Sequence, residues 1–194
     1  MIRLGRRGFF AAATIVLSGM SADGASAADR GARDLLFSPT AIYRPDRWEV
    51  RAGGYAHCCF VEKGAALGLE VVTPRPFVIP NLPEFLSPRL HFGGIVSLNG
   101  HTSYAYAGLL FTLNWQRFFL EPFVGIAISN GVALGDATHN AIGCTALIHA
   151  GGNIGYRVNR NWSVMLTADH ISNANMCSRN AGLNNWGVKI GYSF

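Results

Sequence analysis

The closing stretch decides the fold: His170-Ile171-Ser172-Asn173-Ala174-Asn175-Met176-Cys177-Ser178-Arg179-Asn180-Ala181-Gly182-Leu183-Asn184-Asn185-Trp186-Gly187-Val188-Lys189-Ile190-Gly191-Tyr192-Ser193-Phe194. Its final part alternates with period two. Trp186, Val188, Ile190, Tyr192 and Phe194 share one side, and Gly187, Lys189, Gly191 and Ser193 share the other. Such alternation marks a strand with different solvents on its two faces. A chain that ends on this pattern with a terminal Phe reads as a bacterial outer-membrane barrel.

Working outward, eight segments read as strands: 47–60, 66–75, 89–98, 103–115, 118–128, 144–157, 161–172 and 184–194. Most have the roughly 9–11 residues that a tilted strand needs to cross a bilayer. The alternation predicts an apolar exterior and a polar lumen. Ala105, Ala107, Leu109, Phe111, Leu113 and Trp115 oppose Tyr104, Tyr106, Thr112 and Asn114. Trp162, Val164, Leu166 and Ala168 oppose Asn161, Ser163, Thr167 and Asp169. The fold class expected is therefore all-β, an eight-stranded antiparallel transmembrane β-barrel. Connector lengths orient it. Gln116-Arg117 and Val158-Asn159-Arg160 are tight, whereas 129–143 and 173–183 are long and polar. Bacterial barrels keep short turns in the periplasm and longer loops outside. The connector 76–88 is the exception, periplasmic by strand count yet long.

The N-terminus reads as a signal peptide, 1–27. Arg3, Arg6 and Arg7 precede an apolar run, and Ala25-Ser26-Ala27 forms a cleavage site. The domain 28–194 would be the barrel, with 28–46 as a periplasmic lead-in. The chain carries +5 formal charge, 49% apolar residues, only 14% charged residues and 23 glycines. With no basic run, nothing supports nucleic-acid binding. No segment outside the leader is long and apolar enough for a membrane helix.

Parity places the chemistry. His170 and Ser172 share the face of Leu166 and Ala168, and Asn184 shares the face of Trp186 and Val188. All three are therefore expected on the outside of the barrel, near the outer rim. A rim location makes polarity cheap there. The functional reading is a nucleophilic serine activated by a histidine two residues away on one strand face.

The run His170-Ile171-Ser172-Asn173-Ala174, followed by Asn180 and Gly182-Leu183, resembles the C-terminal motif of outer-membrane lipid A 3-O-deacylases of the PagL type. The resemblance implies an eight-stranded barrel that removes the ester-linked 3-hydroxyacyl chain from lipid A. It implies His170 as general base and Ser172 as nucleophile. It also implies Asn173, Ala174 and Asn180 as the surroundings of an oxyanion hole. The acidic member of that triad falls on Asn184, which can orient a histidine but supplies no charge. Glu62 or Asp136 could supply a carboxylate from another loop. A catalytically weak or inactive barrel with a structural or surface-interaction role is the alternative. No metal or organic cofactor is expected. Expected partners are lipid A or lipopolysaccharide, the outer membrane, and the barrel-assembly machinery during biogenesis; a homodimer stays open.

The exported compartment allows disulfides. Cys144 and Cys177 both fall at the outer end and are expected to pair. Cys58 and Cys59 are adjacent, point to opposite faces in a strand, and are expected as buried thiols. Glu70 and Glu121 are expected as luminal partners of Arg51, Arg89 or Arg157.

Overall fold

The period-two pattern becomes a single closed sheet. The computed structural model describes residues 43–194 except 77, 79, 80 and 82. The expected signal peptide and the lead-in up to residue 42 lie outside the described residues. The strands are β1 (Glu49–Cys58), β2 (Gly64–Val72), β3 (Arg89–Ser97), β4 (Tyr104–Leu110), β5 (Leu113–Trp115), β6 (Phe118–Ser129), β7 (Ala146–Arg157), β8 (Trp162–Ser172) and β9 (Leu183–Ser193). Each pairs antiparallel with its neighbour, and β9 pairs with β1 to close the barrel.

Nine segments make eight staves. β4 and β5 both pair with β6 in one unbroken register, Leu110 opposite Phe123 and Leu113 opposite Leu120. Between them Phe111 donates its N–H to the Pro122 carbonyl at 3.0 Å. Pro122 has no N–H to return, so the ladder loses one bond but not its path. The expected segment 103–115 is thus a single stave interrupted where it faces Pro122 of β6.

The two faces follow the alternation. Leu67, Leu69, Ile126, Ile128, Leu166, Trp186 and Val188 are exposed on the outside. An aromatic girdle marks the periplasmic end. Trp162 and Tyr192 have ring centroids 4.8 Å apart, and Phe118 and Tyr156 5.1 Å. Aromatic rings concentrate where apolar and aqueous phases meet.

The lumen is filled, as an eight-stranded barrel requires. Arg51 lies at its centre, with Glu49 at 2.9 Å, Glu121 at 2.9 Å and Glu70 at 3.5 Å. Lys189 pairs with Glu70 at 3.1 Å and Arg89 with Glu49 at 3.2 Å. Three cations thus face three carboxylates. Arg157 instead lies over the rings of Phe119 at 4.2 Å and Tyr43 at 4.6 Å. The expected partnership of Glu70 and Glu121 therefore holds for Arg51. Gly155 leaves room for Phe119, since any side chain there would occupy the space of that ring.

The polar-lumen expectation fails at the outer mouth. Ile95, Leu147, Ile171 and Leu183 point inward there, and Ile142 from the 130–145 loop inserts among them, all with at most 3% exposure. The loop folds in and makes the mouth an apolar core rather than a wet opening. In the periplasmic connector after β2, a 3-10 turn spans Glu84–Leu86, and Arg75 holds Glu84 at 2.6 Å.

Cys144 and Cys177 are joined with Cα atoms 6.2 Å apart. Replacing both by serine is expected to lower unfolding stability in detergent by about 2–4 kcal/mol, largely through the freed unfolded chain. Thermal unfolding of the double variant measures this. Non-reducing peptide mapping that found both thiols free would contradict the bridge. Cys58 and Cys59 are also joined, which corrects the expectation of buried thiols. The strand ends at Cys58, and Cys59 turns away with φ of 78°, so strand alternation no longer applies to it. Cys59 is exposed.

Candidate active site

The antiparallel register between β8 and β9 sets the site. His170 lies opposite Asn184 and Ala168 opposite Trp186. On the next stave Asn184 lies opposite Cys58 of β1. On the other side Ser172 lies opposite Ile148 of β7. His170, Ser172 and Asn184 are half-buried and sit on the outward parity just above the exposed Trp186. The three residues expected to act together are thus brought to one face at the outer rim.

The imidazole is fixed from two sides. His170 Nδ1 lies 2.7 Å from Asn184 Oδ1. An amide oxygen only accepts, so Nδ1 is the donor, and in the neutral tautomer that this bond selects the lone pair is on Nε2. Gly182 lies against the ring, and a Cβ there would stand 2.8 Å from Cε1 and 3.3 Å from Nε2. Gly182 also has φ of +68°, which glycine adopts without strain. Its position two residues before Asn184 was the available sequence signal, but its role as a wall for the ring depends on the folded loop.

The turn after β8 is tightly organised. The buried Asn173 donates its N–H to Asn180 Oδ1 at 2.9 Å, and its Nδ2 to the Ile142 carbonyl at 2.7 Å. Asn180 Nδ2 donates to Asn175 Oδ1 at 3.2 Å. Asn173 therefore spends its donors within this turn and on the 130–145 loop, and the Asn180 side chain donates within the turn. Ala174 and Asn175 take φ of 50° and 65°, a tight left-handed pair. Ala174 is exposed and lies two residues past the end of β8.

The two candidate replacement acids are engaged elsewhere. Glu62 accepts from the Thr102 N–H and hydroxyl, each at 2.8 Å, and from the Asn140 N–H at 3.0 Å. Asp136 binds the Thr138 N–H at 2.7 Å and the His139 N–H at 2.8 Å. The Thr138 backbone and hydroxyl, with His139, hold its carboxyl well below the usual carboxylate range. Asp169 points into the lumen, where it accepts from Tyr104 at 2.7 Å and Asn185 at 2.8 Å. The side chain that partners the His170 ring is the neutral amide of Asn184. Among the described residues no group of three or more acidic, histidine or cysteine side chains could hold a metal.

A closed barrel with a filled lumen, a lipid-facing apolar band and a periplasmic aromatic girdle defines a bacterial outer-membrane β-barrel. The fold is similar to the crystal structure of the outer membrane enzyme PagL, with a TM-score of 0.59 and 16% identity over 74% of this chain and 97% of that one. It is also similar to the N-terminal β-barrel domain of Pseudomonas aeruginosa OprF, with a TM-score of 0.54 and 12% identity over 77% and 98%. No protein of curated function matches the sequence. The model of the lipid A 3-O-deacylase (PagL) family matches residues 81–193. The chain belongs to that family.

Proposed function

We propose that the protein is a lipid A 3-O-deacylase, a serine esterase that removes a 3-hydroxyacyl chain in the outer leaflet. The observation that carries this reading is the His170–Asn184 bond of 2.7 Å on the lipid-facing rim, with Ser172 on the same face. Family membership supports the substrate class.

In the proposed reaction Ser172 Oγ attacks the acyl carbonyl while its proton passes to His170 Nε2. The carbonyl electron pair moves onto oxygen, and the Ala174 N–H, presented by the turn that Asn173 and Asn180 fix, stabilises it. Collapse of the intermediate breaks the ester bond. The sugar oxygen leaves with the proton from His170, and the acyl group stays on Ser172. Water, deprotonated by His170, then releases the 3-hydroxy fatty acid and restores the serine. Asn184 keeps the histidine tautomer through the cycle. Because it brings no charge, it stabilises the imidazolium less than a carboxylate would.

The test is mass spectrometry of lipid A from otherwise identical membranes with and without the intact protein. Loss of one 3-hydroxyacyl mass only where the protein is present supports the reading. Unchanged lipid A, with the barrel correctly inserted, favours the structural or surface-interaction alternative.

Asn184→Glu probes the departure from the acid. A carboxylate at the 2.7 Å position of Oδ1 would favour protonated His170 in the transition state. The expected result is a rise in turnover of about ten-fold, part of the ~10⁴ that a triad acid contributes elsewhere. Initial rates on lipid A in mixed micelles measure it. A fall in rate with an unchanged fold would mean that the site is built around the neutral amide.

A further inference from the structure

The outer loops join three distant parts of the chain beside His170. Glu62 lies in the connection between β1 and β2 and is fully buried. Its carboxylate accepts from Thr102 and from the Asn140 N–H. Asn140, with 1% exposure, answers with its side chain. Its Oδ1 accepts the Val61 and Glu62 N–H groups at 3.0 and 3.3 Å. Its Nδ2 donates to the Gly182 carbonyl at 3.0 Å. One residue earlier, the Ala181 N–H donates to the Ala141 carbonyl at 2.9 Å. Two successive bonds thus tie the 130–145 loop to the backbone that presses on the His170 ring.

We propose that Asn140 is a positioning residue for His170. Anchored by Glu62, it holds the Gly182 backbone as a wall that fixes the plane of the imidazole. The bond to Asn184 restrains one ring nitrogen but leaves the ring free to swing about that contact. The Gly182 wall removes this freedom, and Asn140 is the side chain that holds the Gly182 carbonyl itself, next to the Ala181–Ala141 backbone bond. A neutral amide suits the place because it must accept from two backbone donors and donate to a carbonyl at once. Aspartate cannot donate the last bond. Glu62 thereby serves the site through Asn140 and Gly182 rather than as the acid of a triad. The catalytic consequence rests on the proposed esterase reading; the positioning of the ring does not.

The experiment uses the full-length protein in detergent with ¹⁵N-labelled histidine, the His170 ring signals being assigned by their loss in His170→Gln. Asn140→Ala and Asn140→Asp are compared with wild type for these signals and for kcat and KM on lipid A. Both variants are expected to move the ring signals away from a single tautomer. Both are expected to lower kcat about 10²-fold, the scale of a misplacement by an ångström, with KM nearly unchanged. Gly182→Ala, which intrudes on the ring directly, should move the same signals. Unchanged His170 ring signals in either folded Asn140 variant overturn the proposal, whatever the activity. Loss of the folded barrel in both variants also overturns it, because Asn140 would then act on folding. If wild type shows no deacylation dependent on Ser172, the esterase reading fails and the ring signals alone decide the positioning.

Discussion

Ser172→Ala is expected to lower release of 3-hydroxy fatty acid from lipid A by on the order of 10⁴–10⁶-fold. In the proposed mechanism the hydroxyl is the attacking group, and alanine has nothing to attack with. Its partner across β7 is Ile148. Ser172 is half-buried at the end of β8, and losing one oxygen there costs little packing. The variant should therefore fold as the wild type does and keep the His170–Asn184 pair. His170→Ala is expected to fall about as far, and the double variant scarcely further, because in the proposed mechanism the two residues act as a unit. Fatty-acid release measured against a folded-protein standard decides the matter. Activity that survives Ser172→Ala would remove the serine mechanism.

Arg51→Met carries the largest expected loss of stability, about 3–5 kcal/mol. Arg51 has 1% exposure and touches three carboxylates that are themselves buried. Methionine approximates the stem but leaves Glu121, among the described residues, with Thr112 at 3.2 Å and Asn153 at 3.2 Å. Glu70 keeps Lys189 and His91, and Glu49 keeps Arg89, so Glu121 bears most of the penalty. Adding Glu121→Gln to Arg51→Met should recover part of the loss, since it removes the stranded charge with its partner gone. Urea unfolding in lipid measures both steps. A cost below about 1 kcal/mol for Arg51→Met would mean that the lumen resolvates freely.

The parts legible from sequence are those written in local period. Inward and outward parity along β8 and β9 was visible from Trp162 to Phe194, and it placed His170, Ser172 and Asn184 on one face before any strand was paired. The inward turn of Asp169 followed from the same parity. What was not legible arose where the chain leaves that period. Cys59 departs from the strand by a left-handed turn, so its pairing with Cys58 contradicted the alternation argument. Ile142 enters the mouth from a polar loop, and no neighbour in sequence announces it. Asn140 reaches residues 61, 62 and 182, contacts set by closure of the whole barrel. The break between β4 and β5 was readable in principle, since Pro122 lies within an otherwise regular strand, but only the register showed that the stave continues past it.

The packed interior has a kinetic meaning for the reaction proposed. Arg51, Lys189 and their carboxylates occupy the lumen and Ile142 is buried at its mouth, so the interior offers no room for an acyl chain among the described residues. A reacting lipid reaches the rim only by drifting sideways within its own leaflet. The encounter is two-dimensional, and the quantity that saturates the site is the mole fraction of lipid A among its neighbours. Diluting the leaflet with inert phospholipid slows the reaction even when the amount of lipid A in the vessel is held constant.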